Sequence, residues 1–339
     1  MSLNVQRAVQ LAPFNTFGVA ATAEHFVQVH SDAELVEALA LATERGWPVQ
    51  VIGGGSNLLL SADVPGLVVR MASLGKRIVR EEAGQVLVEA CAGEPWHPFV
   101  QWSLAQGLVG LENLSLIPGT VGAAPMQNVG AYGVEVKDVF ASLAALDRHS
   151  GEVHELAGEA CAFGYRDSVF KQQPGRWVIL RVRFALARQA PLHLDYGPIR
   201  ERLALLGIEQ PTALDVSQAI CAIRQEKLPD PAVLGNAGSF FKNPVVPAAQ
   251  AEALKARYPG LPSYPAGPGQ AKLAAGWLID QAGWRGHRDG AVGVHVHQAL
   301  VLVNHGGGTG QQVLALAQRI QASVQARFGV SLEMEPNLL

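Results

Sequence analysis

The chain has 339 residues, 49% of them hydrophobic and 16% charged, with a formal net charge of −3. That length exceeds what one hydrophobic core comfortably organises and implies two or three domains. The near-neutral balance, without any local cluster of lysine and arginine, excludes a nucleic-acid binder held by a basic surface and leaves small anionic ligands open.

Cys91, Cys161 and Cys221 are widely spaced, odd in number and without a C-x-x-C pair. This points to a reducing cytosol and away from a disulfide framework or a zinc site. The first residues, M-S-L-N-V-Q-R-A-V-Q-L-A-P, show neither a long apolar run behind a basic start nor a small-residue cleavage pattern, which argues against a secretory signal.

Ser31-Asp32-Ala33-Glu34 is a capping box, and Leu35, Ala38, Leu39 and Ala42 follow at helical spacing before Gly46 supplies a stop. Trp47-Pro48 then turns the chain into a strand from Val49 to Ile52, which runs directly into Gly53, Gly54 and Gly55. Three consecutive glycines are read here as a ligand loop and not as packing, because they let a ligand lie against exposed amide N–H groups. Phosphate suits such a nest of donors. The loop is not a P-loop, since Ser56 and Asn57 stand where Gly-Lys-Ser/Thr would be needed. Nor is it a Rossmann fingerprint, because Leu58 occupies the third glycine position and no acidic residue follows about 20 positions on. A tight turn after a buried strand would need only one or two glycines and gives no reason for Ser56-Asn57.

Val86, Val88 and Ala90 alternate with polar neighbours as a half-buried strand does, and Pro95 opens a helix through Gln106 that Gly107 ends. The stretch from Gly110 to Gly133 is glycine-rich and uncharged after Glu112. Asn113 to Val134 would be long enough to span a bilayer, but Pro118, Gly119, Gly122, Pro125, Asn128 and Gly130 break any membrane helix. A long ordered loop in a compact domain is usually functional, and with the triple glycine it suggests one large cofactor. Strands are expected over Val139 to Leu146, Glu152 to Leu156 and Trp177 to Leu186.

A helical pattern from Val216 to Arg224 precedes a boundary at Lys227-Leu228-Pro229-Asp230-Pro231. Helices are expected at Ala248 to Arg257, Ala271 to Gln281 and Thr309 to Arg327, the last with a Thr309/Gln312 capping box. One strand is expected from Val292 to Val303, and the residues after Gly329 form a terminal strand or a loose tail. His295 and His297 would share a face of that strand, but no third ligand at matching spacing accompanies them, so a structural or substrate-lining role is expected and a metal site is not. Cys91 and Cys221 read as small core residues, and Asp167 and Asp230 as partners of adjacent turns.

The pair G-G-G-S-N-L-L and I-P-G-T-V-G-A-A-P-M-Q-N-V-G-A-Y-G resembles the FAD-binding half of the UDP-N-acetylenolpyruvoylglucosamine reductase (MurB) family of peptidoglycan synthesis. Gly164-Tyr165-Arg166-Asp167-Ser168-Val169-Phe170-Lys171 is similar to the family's G-Y-R-x-S-x-F-K, and Gly235-Asn236-Ala237-Gly238-Ser239-Phe240-Phe241-Lys242-Asn243-Pro244 to its G-N-A-G-S-x-F-K-N-P. Leu194-Asp195-Tyr196-Gly197 and the run from Arg224 to Pro231 resemble segments of the longer subtype, which carries an extra tyrosine loop.

The resemblance implies an α+β flavoprotein with a two-part FAD-binding domain of the vanillyl-alcohol-oxidase (PCMH) type and a C-terminal α+β substrate domain. The expected division is a first FAD-binding subdomain at 1–70, to which 330–339 return, a second at 71–215 and the substrate domain at 216–329. It implies non-covalent FAD, with NADPH as hydride donor, held by Gly53, Gly54, Gly55, Ser56, Asn57, Pro118, Gly119, Thr120, Gly122, Ala123, Gln127, Asn128, Gly130, Ala131 and Tyr132. In that family NADPH reduces the flavin, and flavin N5 passes the hydride to the methylene carbon of the enolpyruvyl sugar nucleotide, and the resemblance implies the same here. Arg166 would stabilise the enolate at the substrate carboxylate, Ser239 would deliver the proton, and Glu335 would share it. The chain ends Leu332-Glu333-Met334-Glu335-Pro336-Asn337 where the family reads L-E-x-E-V-R, so Glu333 stays open as the alternative glutamate. Tyr165, Tyr196, Lys227, Asn243, Tyr264 and Gln298 would hold the substrate. The implied setting is cytoplasmic synthesis of cell-wall precursors with small-molecule partners, neither nucleic acid nor membrane; a monomer is favoured. A flavin oxidase using oxygen and an inactive nucleotide-sugar binding protein remain as alternatives.

Overall fold

The computed structural model describes residues 3–339, which divide into two compact units. The first comprises the chain up to Val9 with Ala23–Gly55 and Pro65–Glu226; the second comprises Gln10–Thr22, Ser56–Val64 and Lys227–Leu339.

Two sheets build the first unit. One runs in the order Gln6–Gln10, Thr22–Val29, Val64–Met71, Val49–Ile52, with the last two parallel and Val51 opposite Val69. The other is antiparallel, in the order Val153–Ala157, Phe140–Asp147, Trp177–Ala187, Gln85–Cys91, Lys76–Glu82. Val27, Val29, Leu67 and Val69 of the first sheet share a core with Leu146, Val178 and Leu180 of the second. Helix Asp32–Arg45 adds Leu35, Ala38 and Ala42 to this core. It starts where Ser31 Oγ accepts from Glu34 N at 3.2 Å and stops at Gly46, whose φ of 65° is open to glycine at little cost. Behind the second sheet, helix Trp96–Ala105 buries Trp96, Phe99 and Val100 against Val88, Val182 and Phe184. Helices Ile199–Leu205 and Ala213–Lys227 close on each other through Ile199, Leu203, Val216, Ile220 and Ile223.

The stretch from 110 to 133 is a loop, as its glycines and prolines require, tightened by 3-10 turns at Glu112–Leu114, Val121–Ala123 and Pro125–Gln127. No helix among the described residues is long and apolar enough to cross a membrane.

The second unit holds an antiparallel sheet in the order Gly235–Ser239, Val301–Asn304, Val292–Val294, Arg288–Asp289. A smaller sheet runs Val245–Pro247, Gln270–Leu273, Ser263–Pro265. Helix Gly310–Phe328 carries the expected Thr309/Gln312 capping box and buries Val313, Leu316, Ala317, Ile320 and Val324.

Two sequence expectations are corrected here. The single strand from Val292 to Val303 is a hairpin, because Gln298 O accepts from Val301 N at 3.0 Å and folds the chain back so that Val294 faces Leu302. His295 and His297 therefore lie in the connection, not on one strand face. The helix expected from Ala271 begins only at Ala275, since Ala271 and Lys272 pair with Val246 and Tyr264 in the smaller sheet. Sheet pairing outweighs local helix propensity at those positions.

Candidate active site

In the first unit the two glycine loops meet. A Cβ on Gly53 would stand 2.6 Å from Thr120 Oγ1, and one on Gly54 would stand 3.2 Å from Gly119 Cα. Gly53 and Gly54 thus serve close packing of the strand end against the second loop, which corrects the reading that packing plays no part. Gly55 has a φ of 66° and turns the chain out of the strand. Gly122 lies so close to Ala92 that a Cβ would approach Ala92 Cβ to 2.5 Å. The two loops thus approach each other, and Ala92, at positions that only glycine can occupy.

Asn128 is fully buried, with a φ of 45°. Its Nδ2 donates to Glu135 Oε2 and to Gly164 O, both at 3.0 Å, and its Oδ1 accepts from Lys137 N at 3.0 Å. The side chain shapes the loop and ties it to the turn that carries Arg166. That turn is tight: Gly164 N donates to Asp167 O at 3.0 Å, and Arg166 is its third residue with a φ of 54°. Glycine or asparagine is the usual occupant of such a left-handed turn position. An arginine there stores strain of about 1–3 kcal/mol. Its Nη2 donates to Gly130 O at 2.8 Å, and its guanidinium lies 5.6 Å from the centre of the Tyr165 ring. Asp167 serves the following turn, accepting from Ser168 N and Gln172 Nε2. The exposed Tyr196 meets Tyr132 edge-on at 6.4 Å.

In the second unit Asn236, buried, donates to Leu234 O at 2.8 Å and accepts from Gly238 N at 2.9 Å. Gly238 has a φ of 69°, and the pairing with Val301–Asn304 shifts register between Asn236 and Ser239. This bulge turns Ser239 out to an exposed position. Glu335 N donates to Phe240 O at 2.9 Å, so Glu335 lies across the ladder beside the residue that follows Ser239. The carboxylate of Glu333 instead pairs with Lys242. Asn57 Nδ2 donates to Glu335 O at 3.3 Å, and Asn337–Leu338 pairs in parallel with Leu58–Leu59. The residues after Gly329 are thus held strand-like against the segment that follows the triple glycine, and Pro336-Asn337 is accommodated with Pro336 buried. Asn243 Oδ1 accepts from Ala275 N at 3.0 Å, and Gln298 Oε1 would lie 3.6 Å from a Cβ on Gly276, so both flank the start of helix Ala275–Gln281. Tyr264 is exposed opposite Lys272, and Lys227 is exposed at the end of its helix.

His97 and Arg224 were given no role from sequence. His97 Nδ1 accepts from Leu116 N at 2.9 Å, which holds Leu116 at a φ of 58° in the long loop. Burial first, and Arg224 second, push the His97 pKa down. The unfolded chain takes up this proton near pH 6.5. Below that pH the unfolded state binds more protons, so the His97 contribution to stability is lost as pH falls. Urea midpoints from pH 8 to 5.5 should therefore decline less steeply in a His97→Asn variant than in the parent; equal slopes would remove His97 from this account. The thiols are inert in character, since burial pushes Cys91 and Cys221 up and Cys161 to about 12.

Residues 23–157 match the family model of an FAD binding domain, and residues 230–339 match that of the UDP-N-acetylenolpyruvoylglucosamine reductase C-terminal domain. The fold, without implication for substrate, is shared with a solvent-stable cholesterol oxidase at a TM-score of 0.52 and 12% identity, over 98% of this chain and 87% of that one. An FAD-binding fold of this PCMH-like type joined to such a C-terminal domain defines a flavin-dependent oxidoreductase. A UDP-N-acetylenolpyruvoylglucosamine reductase of Pseudomonas syringae pv. tomato is 67% identical over the full length of both chains. The crystal structure of the UDP-N-acetylenolpyruvylglucosamine reductase (MurB) of Thermus caldophilus superposes with a TM-score of 0.68 at 27% identity, covering 99% of each chain. The chain belongs to the UDP-N-acetylenolpyruvoylglucosamine reductase family.

Proposed function

We propose that this chain reduces the enolpyruvyl ether of a UDP-linked N-acetylglucosamine to UDP-N-acetylmuramate in the cytoplasm, with NADPH as reductant. FAD, when bound, relays the hydride from NADPH to the methylene carbon of the substrate. The close approach of the two glycine loops supports a cradle for that cofactor: Gly53 and Gly54 lie against Gly119 and Thr120 where any side chain on either glycine would clash, and Gly55 turns the chain beside them. Ser56, Pro118, Gly122, Ala123, Gln127, Gly130, Ala131 and Tyr132 continue the lining, while Asn57 and Asn128 act through loop shape. The two sheets of the first unit support its division into two FAD-binding subdomains near residue 70.

The residues divide the remaining work. Arg166 binds the substrate carboxylate and stabilises the charge that grows on it when hydride arrives at the neighbouring double bond. Ser239 gives its hydroxyl proton to the resulting carbanionic carbon, and Glu335 acts with it. Glu333 is set aside because its carboxylate is taken up by Lys242. Lys227 meets the diphosphate, and Tyr165, Tyr196, Asn243, Tyr264 and Gln298 orient the sugar nucleotide.

The observation that carries this reading is the left-handed Gly238 bulge, which turns Ser239 outward one residue from the partner of Glu335. The test is an anaerobic titration of the purified protein. It should be yellow, bleach with NADPH and regain its colour when the enolpyruvyl sugar nucleotide is added. Protein that stays colourless after incubation with free FAD, or that regains colour only with oxygen, would overturn it.

A further inference from the structure

Ser239 owes its outward position to its neighbours, and those neighbours rest on a loop distant from them in sequence. Residues 11–21, in the second unit, close on themselves: Leu11 N donates to Ala21 O at 2.8 Å and Gly18 N to Asn15 O at 3.1 Å. The buried Asn15 fastens this loop from inside. Its Nδ2 donates to Leu11 O at 2.8 Å and to Val19 O at 3.0 Å, and its Oδ1 accepts from Val19 N at 3.1 Å. A buried amide engaged in this way selects one loop shape, because any bond given up would leave a polar group unpaired and out of water.

The loop turns two further carbonyls to the strands around Ser239. Thr16 O accepts from Asn236 N at 3.0 Å, and Phe17 O accepts from Asn304 Nδ2 at 2.9 Å. A Cβ on Gly235 would approach Phe17 O to 2.2 Å, so loop and strand meet where only glycine fits. The fully buried Phe17 ring meets that of Phe240 edge-on at 6.0 Å. The two braced residues lie on either side of Ser239. Asn236 accepts from Gly238 N and so shapes the bulge, while Phe240 follows Ser239 and its carbonyl receives Glu335 N. Phe240 N is fixed in turn to Leu300 O at 2.7 Å.

We propose that Asn15 is a positioning residue for proton delivery: by fixing the 11–21 loop it holds Asn236 and Phe240, and through them sets where the Ser239 hydroxyl points. Asn15 acts only through these neighbours. The placement matters because a general acid works within about 2.6–3.2 Å of the atom that takes its proton. A weak acid such as serine has no surplus acidity to offset poor aim. The proposal rests on the reading of Ser239 as proton donor.

Asn15→Ala protein should bleach with NADPH at the parent rate. At saturating enolpyruvyl sugar nucleotide it should then regain its colour about 10–10²-fold more slowly, the scale on which misplacing a reacting group by about 1 Å costs rate. The decisive comparison is Asn15→Ala in the Ser239→Ala background. A residue that works through Ser239 has nothing left to position there, so the double variant should recover no more slowly than Ser239→Ala alone. Phe17→Leu, an apolar exchange of the kind cores tolerate, should slow recovery by the same route. Losses that multiply in the double variant would overturn the proposal, as would parent-rate recovery in Asn15→Ala or bleaching and recovery that fall together. If neither Asn15→Ala nor Phe17→Leu folds, the loop serves the fold alone and the proposal falls. Parent-rate recovery in Ser239→Ala itself would instead sink the proton-donor reading, so the two failures are distinguishable.

Discussion

Ser239→Ala protein should still bleach with NADPH at the parent rate, yet lose about 10²–10⁴-fold in the rate at which the enolpyruvyl sugar nucleotide restores its colour, the range expected for removing a general acid. The separation of the two half-reactions is what gives the experiment its force. Hydride from NADPH needs no proton from the protein, whereas saturating the enol ether requires one at the second carbon. A serine hydroxyl is a weak acid, and its use is credible because the carbanionic intermediate it meets is strongly basic. Stability should be unchanged, since Ser239 is exposed and its strand is shaped by Asn236 and Gly238, which the substitution leaves in place. Stopped-flow absorbance of the flavin gives both rates. Recovery at the parent rate would remove Ser239 from the chemistry and leave the bulge without a catalytic purpose.

Replacing Arg166 by glutamine should slow the same substrate half-reaction by about 10²–10³-fold, the typical loss when a donor to a developing oxyanion is removed. Arg166→Lys should recover little, because a point charge cannot grip both a carboxylate and the Gly130 carbonyl as the planar fork does. The fold should not suffer in proportion. Arg166 occupies a left-handed turn position better suited to glycine or asparagine, so the local conformation offers no reason for arginine beyond its charge and reach. Single-turnover oxidation of the NADPH-reduced variant, set against its urea midpoint, separates the two effects. A variant whose substrate half-reaction is intact would show that the strained arginine serves the turn alone.

The motifs on which the proposed site rests are legible in the sequence. The two glycine loops, the Gly164–Lys171 signature and the Gly235–Pro244 signature are contiguous, and contiguous patterns survive in one dimension. The helix from Asp32 and the helix from Gly310 were equally plain, because a capping box and a glycine stop are bonds between residues three or four apart. What escaped were contacts across long separations. Gln270–Leu273 reads as helix until its partners Val245–Pro247 and Ser263–Pro265 are known, and the run from Val292 onward reads as one strand until the Gln298 turn folds it.

The residue order by itself determined the family and the flavin chemistry, and singled out the side chains proposed to react, because short-range backbone geometry and the motifs built on it depend only on neighbours. Tertiary structure alone decided that Gly53 and Gly54 press against Gly119 and Thr120, that Asn337–Leu338 pairs with Leu58–Leu59, and that Glu335 lies opposite Phe240, next to Ser239, while Glu333 lies opposite Lys242. The physical reason is that such approaches are settled by which buried surfaces and ladder groups find partners once the whole chain has collapsed, a choice that no local spacing encodes.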